Sequence, residues 1–115
     1  MTVCPTGASY VNKDGVVLVN YDICIGCKYC MLACPYLARY IHPELRAPDK
    51  CTFCEHLLKK KRQPACVETC PTKARTFGDL DDPNSEVSRM LNENKAFPIG
   101  AEYGTRPKVF YVRPR

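Results

Sequence analysis

Cys24-Ile25-Gly26-Cys27-Lys28-Tyr29-Cys30-Met31-Leu32-Ala33-Cys34-Pro35 is the stretch on which the reading of this chain turns. Its spacing, C-x2-C-x2-C-x3-C-P, wraps three thiolates around one face of a [4Fe–4S] cube and sends the fourth to a neighbouring cube. Cys24, Cys27 and Cys30 fall in a tight loop whose amides can turn toward cluster sulfides, and Gly26 permits close backbone approach. Cys34 lies one helical turn beyond Cys30, so its thiolate leaves the same short helix toward a different centre. Pro35 ends that helix.

Cys-Pro-x-x-Ala occurs three times: Cys4-Pro5-Thr6-Gly7-Ala8, Cys34-Pro35-Tyr36-Leu37-Ala38 and Cys70-Pro71-Thr72-Lys73-Ala74. Such self-similarity is the mark of a repeated unit, here the closing piece of a ferredoxin half-motif. The second copy follows its own three ligands. The third follows Cys51, Cys54 and Cys66 in the pattern C-x2-C-x11-C-x3-C-P, while only Met1, Thr2 and Val3 precede the first. The nine cysteines thus resolve as one, four and four. The odd one is the tail of a motif whose beginning is absent.

A chain of 115 residues has room for one small fold with a modest core. An odd number of cysteines at metal-ligand spacing argues against a disulfide scaffold. The longest apolar runs, residues 16–19 and 31–33, are too short to span a bilayer, so no transmembrane segment is expected. The formal charge of +5 treats cysteine as neutral. Two cubes with four thiolates each would add about −4 and leave about +1, which removes the case for nucleic acid.

The expected architecture is α+β: a ferredoxin-like dicluster domain with a β-hairpin, followed by a C-terminal helix and strand. Residues 8–12 and 16–21, rich in Val and Tyr around Lys13-Asp14-Gly15, read as the hairpin. Residues 39–42 and 75–77 read as strands, 43–50 as a loop, and 55–62 as a helix with Lys59, Lys60, Lys61 and Arg62 at its solvated end. Asp82 is expected to be an N-cap with Pro83 at the first helical position, and Val87, Met90 and Leu91 form a narrow apolar stripe. Residues 108–112 make a terminal strand. The domain boundary is expected after Gly78: residues 1–78 bind clusters and 79–115 pack on them. Tyr21, Tyr29, Tyr36 and Tyr40 are expected to shield clusters from water. No nucleophile triad, carboxylate pair or phosphate loop is present, so the chain is not expected to be a catalyst. A zinc-binding structural module is an alternative use of the cysteines, but zinc ribbons pair two C-x2-C knuckles and have no need of C-x2-C-x2-C-x3-C-P.

Several blocks together resemble one family. Cys4-Pro5-Thr6-Gly7-Ala8, Asp14-Gly15-Val16-Val17-Leu18-Val19, Asp22-Ile23-Cys24-Ile25-Gly26-Cys27, Asp49-Lys50-Cys51-Thr52-Phe53-Cys54 and residues 77–88 are similar to the iron–sulfur subunits of molybdopterin oxidoreductases. Polysulfide, thiosulfate, tetrathionate and DMSO reductases use such subunits, as does the ferredoxin-like partner of cytochrome nitrite reductase. The resemblance implies electron transfer in anaerobic respiration, with a molybdopterin catalytic subunit and a membrane anchor subunit as partners. It also implies a place peripheral to the cytoplasmic membrane, on the periplasmic or outer face rather than the cytoplasmic one.

Family members carry four half-motifs, so the chain is expected to be the C-terminal part of a longer protein or a reading frame started late. The family's pairing joins Cys4 to Cys24, Cys27 and Cys30 as one complete [4Fe–4S] site. It leaves Cys51, Cys54 and Cys66 with three corners of another, and Cys34 and Cys70 serving clusters whose other ligands lie upstream. The competing arrangement is a self-contained soluble ferredoxin with two clusters, Cys24, Cys27 and Cys30 with Cys70, and Cys51, Cys54 and Cys66 with Cys34.

Overall fold

A computed structural model describes residues 2–114. The chain divides into two compact units, residues 1–56 and 57–115. That division follows backbone contact. The boundary expected after Gly78 follows instead from where the last half-motif ends.

The first unit is built on the hairpin. β1 (Ser9–Val11) pairs antiparallel with β2 (Val17–Val19), Ser9 opposite Val19 and Val11 opposite Val17. Asn12 makes the turn, its Oδ1 accepting from the amides of Asp14 at 2.9 Å and Val16 at 3.0 Å. Gly15 completes it at φ 82°, a conformation open to glycine. Ala8, Ser9 and Val16 are buried, and Arg39 Nη2 donates to Ser9 Oγ at 2.6 Å. α1 (Tyr29–Ala33) follows the cysteine loop.

The strand expected at residues 39–42 is present as β3 (Tyr40–Ile41), and it pairs with β4 (Pro48–Asp49) inside the segment expected to be only a loop. The intervening bend is closed by His42, whose Nδ1 accepts from the amides of Glu44 and Leu45 at 3.2 Å each. Pro48 is tolerated because the ladder is two residues long, and its buried ring packs where a longer strand would need a donor.

α2 (Glu55–Leu58) is shorter than the expected helix over residues 55–62. Lys61 adopts φ 57°, and the amides of Arg62 and Lys61 donate to the carbonyls of Leu57 at 3.0 Å and Leu58 at 2.9 Å. This is a Schellman closure, so the basic run is the stop itself.

In the second unit, buried Pro64 opens α3 (Ala65–Glu68). The expected strand at residues 75–77 forms no ladder among the described residues. α4 (Glu86–Glu93) is capped by Ser85, not Asp82: Ser85 Oγ accepts from the Ser88 amide at 3.2 Å. Asp82 instead takes the Asn84 amide at 2.9 Å in the preceding turn, leaving Pro83 outside the helix. Ser85 Oγ donates to the Asp79 carbonyl at 2.6 Å and Ser88 Oγ to that of Leu80 at 3.2 Å, tying the helix start to the incoming chain. Val87 faces Gly78 so closely that a Cβ there would stand 3.1 Å from its Cγ2. The terminal strand is β6 (Phe110–Tyr111), paired antiparallel with β5 (Phe97–Pro98). Phe97 and Tyr111 lie ring to ring at 6.1 Å, with the Arg113 guanidinium 5.7 Å above Phe97.

Among the described residues the buried apolar side chains are few and small: Ala8, Val16, Ala47, Pro48 and Pro64. So thin a core leaves the stability of the fold to whatever the cysteines bind.

Candidate iron–sulfur site

The first cysteine loop is shaped by two left-handed residues, Gly26 at φ 67° and Lys28 at φ 64°. A Cβ on Gly26 would meet the Arg46 carbonyl oxygen at 3.3 Å, so this position needs glycine for space as well as conformation. Lys28 then launches α1, its carbonyl accepting from Met31 at 3.1 Å. Cys30 sits in the first turn of that helix and Cys34 at its C-cap. The second set repeats the plan with other residues. Phe53 and Cys54 take φ 53° each, and the Phe53 amide donates to Cys51 Sγ at 3.5 Å. Cys66 lies in α3, and Cys70 follows its C-cap.

Cys4, Cys24, Cys27 and Cys30 line one cavity together with Pro5, Thr6, Ile25, Lys28 and Pro48. Cys4 comes from the turn before the hairpin, and the other three come from the loop after it. Cys34 stands at the far end of α1. Cys51 and Cys54 belong to the first unit, and Cys66 and Cys70 to the second. All nine cysteines are free thiols.

Among the described residues, no three His, Cys, Asp or Glu side chains converge tightly enough to hold a single metal ion. Four cysteines around one cavity offer a thiolate for each iron of a cubane. The surroundings favour the deprotonated sulfur. The Ser9 amide, followed by the Thr6 hydroxyl, lowers the Cys4 thiol to about 7. The Thr72 hydroxyl, then the Ala74 amide at 3.3 Å, lowers that of Cys70.

These sequence features fit one known family. Residues 1–80 match the 4Fe-4S dicluster domain. The protein belongs to that family. It binds [4Fe–4S] clusters, and its fold is the mixed α+β ferredoxin type. It is 51% identical to a polysulfide reductase chain of Wolinella succinogenes over 97% of this chain and 59% of that protein. It is 52% identical to protein NrfC of Escherichia coli K12 over 96% of this chain and 50% of that protein. With a tetrathionate reductase subunit of Salmonella typhimurium the identity is 46%, over 96% of this chain and 45% of that one. The chain spans about half the length of the curated relatives it matches.

Three groups beside the cysteines escape a reading based on ligand spacing. Lys50 Nζ donates to the Val17 carbonyl at 2.7 Å and also to the Cys51 carbonyl, joining the hairpin to the second cysteine loop. Asp49 is held by two phenols, Tyr21 at 2.5 Å on Oδ1 and Tyr40 at 3.1 Å on Oδ2. Burial, followed by the bond to Asp49, pushes Tyr21 up to about 12. Burial works against the Asp49 carboxylate, but the Tyr21 phenol, the Lys50 amide and the Tyr40 phenol outweigh it and hold the carboxyl below its ordinary value. Thr6 and Thr72 are the third group, and the only signal for them was their shared place after Cys-Pro.

Proposed function

We propose that the chain is the iron–sulfur electron-transfer part of a molybdopterin oxidoreductase complex in anaerobic respiration. It relays electrons between a quinol-reactive membrane anchor subunit and the molybdopterin catalytic subunit. Its place is peripheral to the cytoplasmic membrane, on the periplasmic or outer face. No helix among the described residues is long and apolar enough to cross a membrane. The names of the relatives, reductases of polysulfide and tetrathionate among them, support the respiratory class.

The observation that carries the ligand assignment is the convergence of Cys4 with Cys24, Cys27 and Cys30 on one cavity. In this reading those four hold one complete cluster. Cys51, Cys54 and Cys66 hold three corners of a second, and Cys34 and Cys70 serve clusters completed by ligands outside this chain. Residues 1–78 are the cluster-binding domain, and 79–115 pack on it. A bound cube supplies one-electron transfer with little movement of its ligands. The chain fixes the thiolates and, through Pro5, Ile25 and Pro48, gives the site apolar walls that limit water and help set the potential.

The test is Cys4→Ala beside Cys70→Ala, each reconstituted anaerobically. Cys4→Ala is expected to lose iron and to turn one [4Fe–4S] signal into a three-iron species in electron paramagnetic resonance, and Cys70→Ala is expected to spare that cluster. Undiminished iron in Cys4→Ala, with loss in Cys70→Ala, would point to the self-contained soluble ferredoxin. Co-purification of a large catalytic chain separates a subunit from a free carrier.

A further inference from the structure

The three Cys-Pro-x-x-Ala copies fold alike, which isolates one difference among them. In each, the third residue after the cysteine donates its amide back to the cysteine carbonyl: Gly7 to Cys4 and Leu37 to Cys34 at 3.4 Å, Lys73 to Cys70 at 3.2 Å. Each of those residues has positive φ, 70° at Gly7, 53° at Leu37 and 50° at Lys73. The turn brings the second residue after the cysteine toward the sulfur. In the first and third copies that residue is threonine, and its Oγ1 lies 3.7 Å from Sγ at both Thr6–Cys4 and Thr72–Cys70. The second copy has Tyr36 there, which carries no β-hydroxyl. Since that copy makes the same turn without threonine, the turn does not require one.

We propose that Thr6 and Thr72 are positioning residues that donate their hydroxyl protons to the metal-bound sulfurs of Cys4 and Cys70, raising the potentials of the clusters those cysteines serve. The proposal rests on the ligand assignment above. An iron-bound thiolate has no proton, so of the two atoms only Oγ1 can donate. An added electron makes the sulfurs more negative and strengthens an O–H···S bond, and an interaction stronger in the reduced state appears as a more positive potential. One electron enters and one leaves, exchanged with the donor and acceptor partners of the relay. The threonine keeps its proton, and no covalent bond forms or breaks.

The experiment uses the full chain, reconstituted anaerobically as wild type, Thr6→Val, Thr6→Ser and Thr72→Val. Iron per chain is measured first, then midpoint potentials by dithionite titration followed by electron paramagnetic resonance. Thr6→Val is expected to keep its iron and move one midpoint to a more negative value, and Thr6→Ser to restore it. Thr72→Val is the control: Cys70 serves a cluster whose other ligands lie outside this chain, so the midpoint that Thr6→Val moves is expected to stay in place, and an equal shift in Thr72→Val would overturn the assignment of the effect to Thr6. Full iron with unshifted midpoints in Thr6→Val overturns the proposal and leaves the ligand assignment standing. If Thr6→Val loses iron, recovery in Thr6→Ser assigns the need to the hydroxyl and supports the proposal, whereas no recovery overturns it. Failure of the ligand assignment shows separately, as undiminished iron in Cys4→Ala.

Discussion

Replacing Lys50 by methionine keeps the length and apolar stem of the side chain and removes its ammonium. In the native fold that ammonium reaches the Val17 carbonyl at 2.7 Å and also bonds the Cys51 carbonyl, so one cation holds β2 to the second cysteine loop. A hydrogen bond to a charged group contributes about 1.5–3 kcal/mol. Burial opposes the charge of the half-buried Lys50, which offsets part of the sum, so we take about 2–3 kcal/mol for both bonds together. If chelator reaches iron through local opening of this junction, the bleaching rate follows the open population, and the loss corresponds to roughly a 30- to 140-fold acceleration at about 1.4 kcal/mol per tenfold. The assay is anaerobic bleaching of visible absorption by excess chelator at fixed temperature. Lys13→Met, on the exposed hairpin turn, is the control and should bleach at the wild-type rate. Equal rates for Lys50→Met and wild type would refute the argument, because they would show that the ammonium bridges nothing that must open.

Two further outcomes are expected. Ser85→Ala removes the cap of α4 and should cost about 1 kcal/mol, read as roughly fivefold faster hydrogen exchange of the α4 amides, while Asp82→Ala should leave them nearly unchanged. Tyr21, whose folded value is raised from 10.0 to about 12, should appear in a tyrosinate absorbance titration as a late component that Tyr21→Phe abolishes. Because the folded value lies above the unfolded one, its contribution is complete below about pH 10 and is lost as pH rises toward 12.

The [4Fe–4S] cofactor was legible because the spacing of Cys24, Cys27, Cys30 and Cys34 is a local property, and so was the hairpin, where Val-rich segments flank a glycine turn. β4, the partner of the expected β3, was not, because two residues carry no period and Pro48 argues against a ladder. The cap of α4 was misplaced because Asp82 and Ser85 are both good caps, and only the bond from Ser88 decides between them. Lys50 and Asp49 were invisible for a different reason. Lys50 meets Val17, and Asp49 meets Tyr21, across distant stretches of chain, and no window of sequence brings those partners together. Thr6 and Thr72 stood in plain view as spacer residues, and only the turn geometry shows their hydroxyls beside sulfur.

Buried apolar side chains as few and small as Ala8, Val16, Ala47, Pro48 and Pro64 have a consequence for how the protein comes into being. A newly synthesised polypeptide has little greasy surface to collapse upon, so its folding waits for iron and sulfide to be delivered. Until then nine free thiols face the cellular milieu. Unfolded chains are continuously cleared by proteases. Under iron starvation the cell is therefore expected to lose the polypeptide itself, and not merely its colour, so that abundance on an immunoblot tracks iron supply.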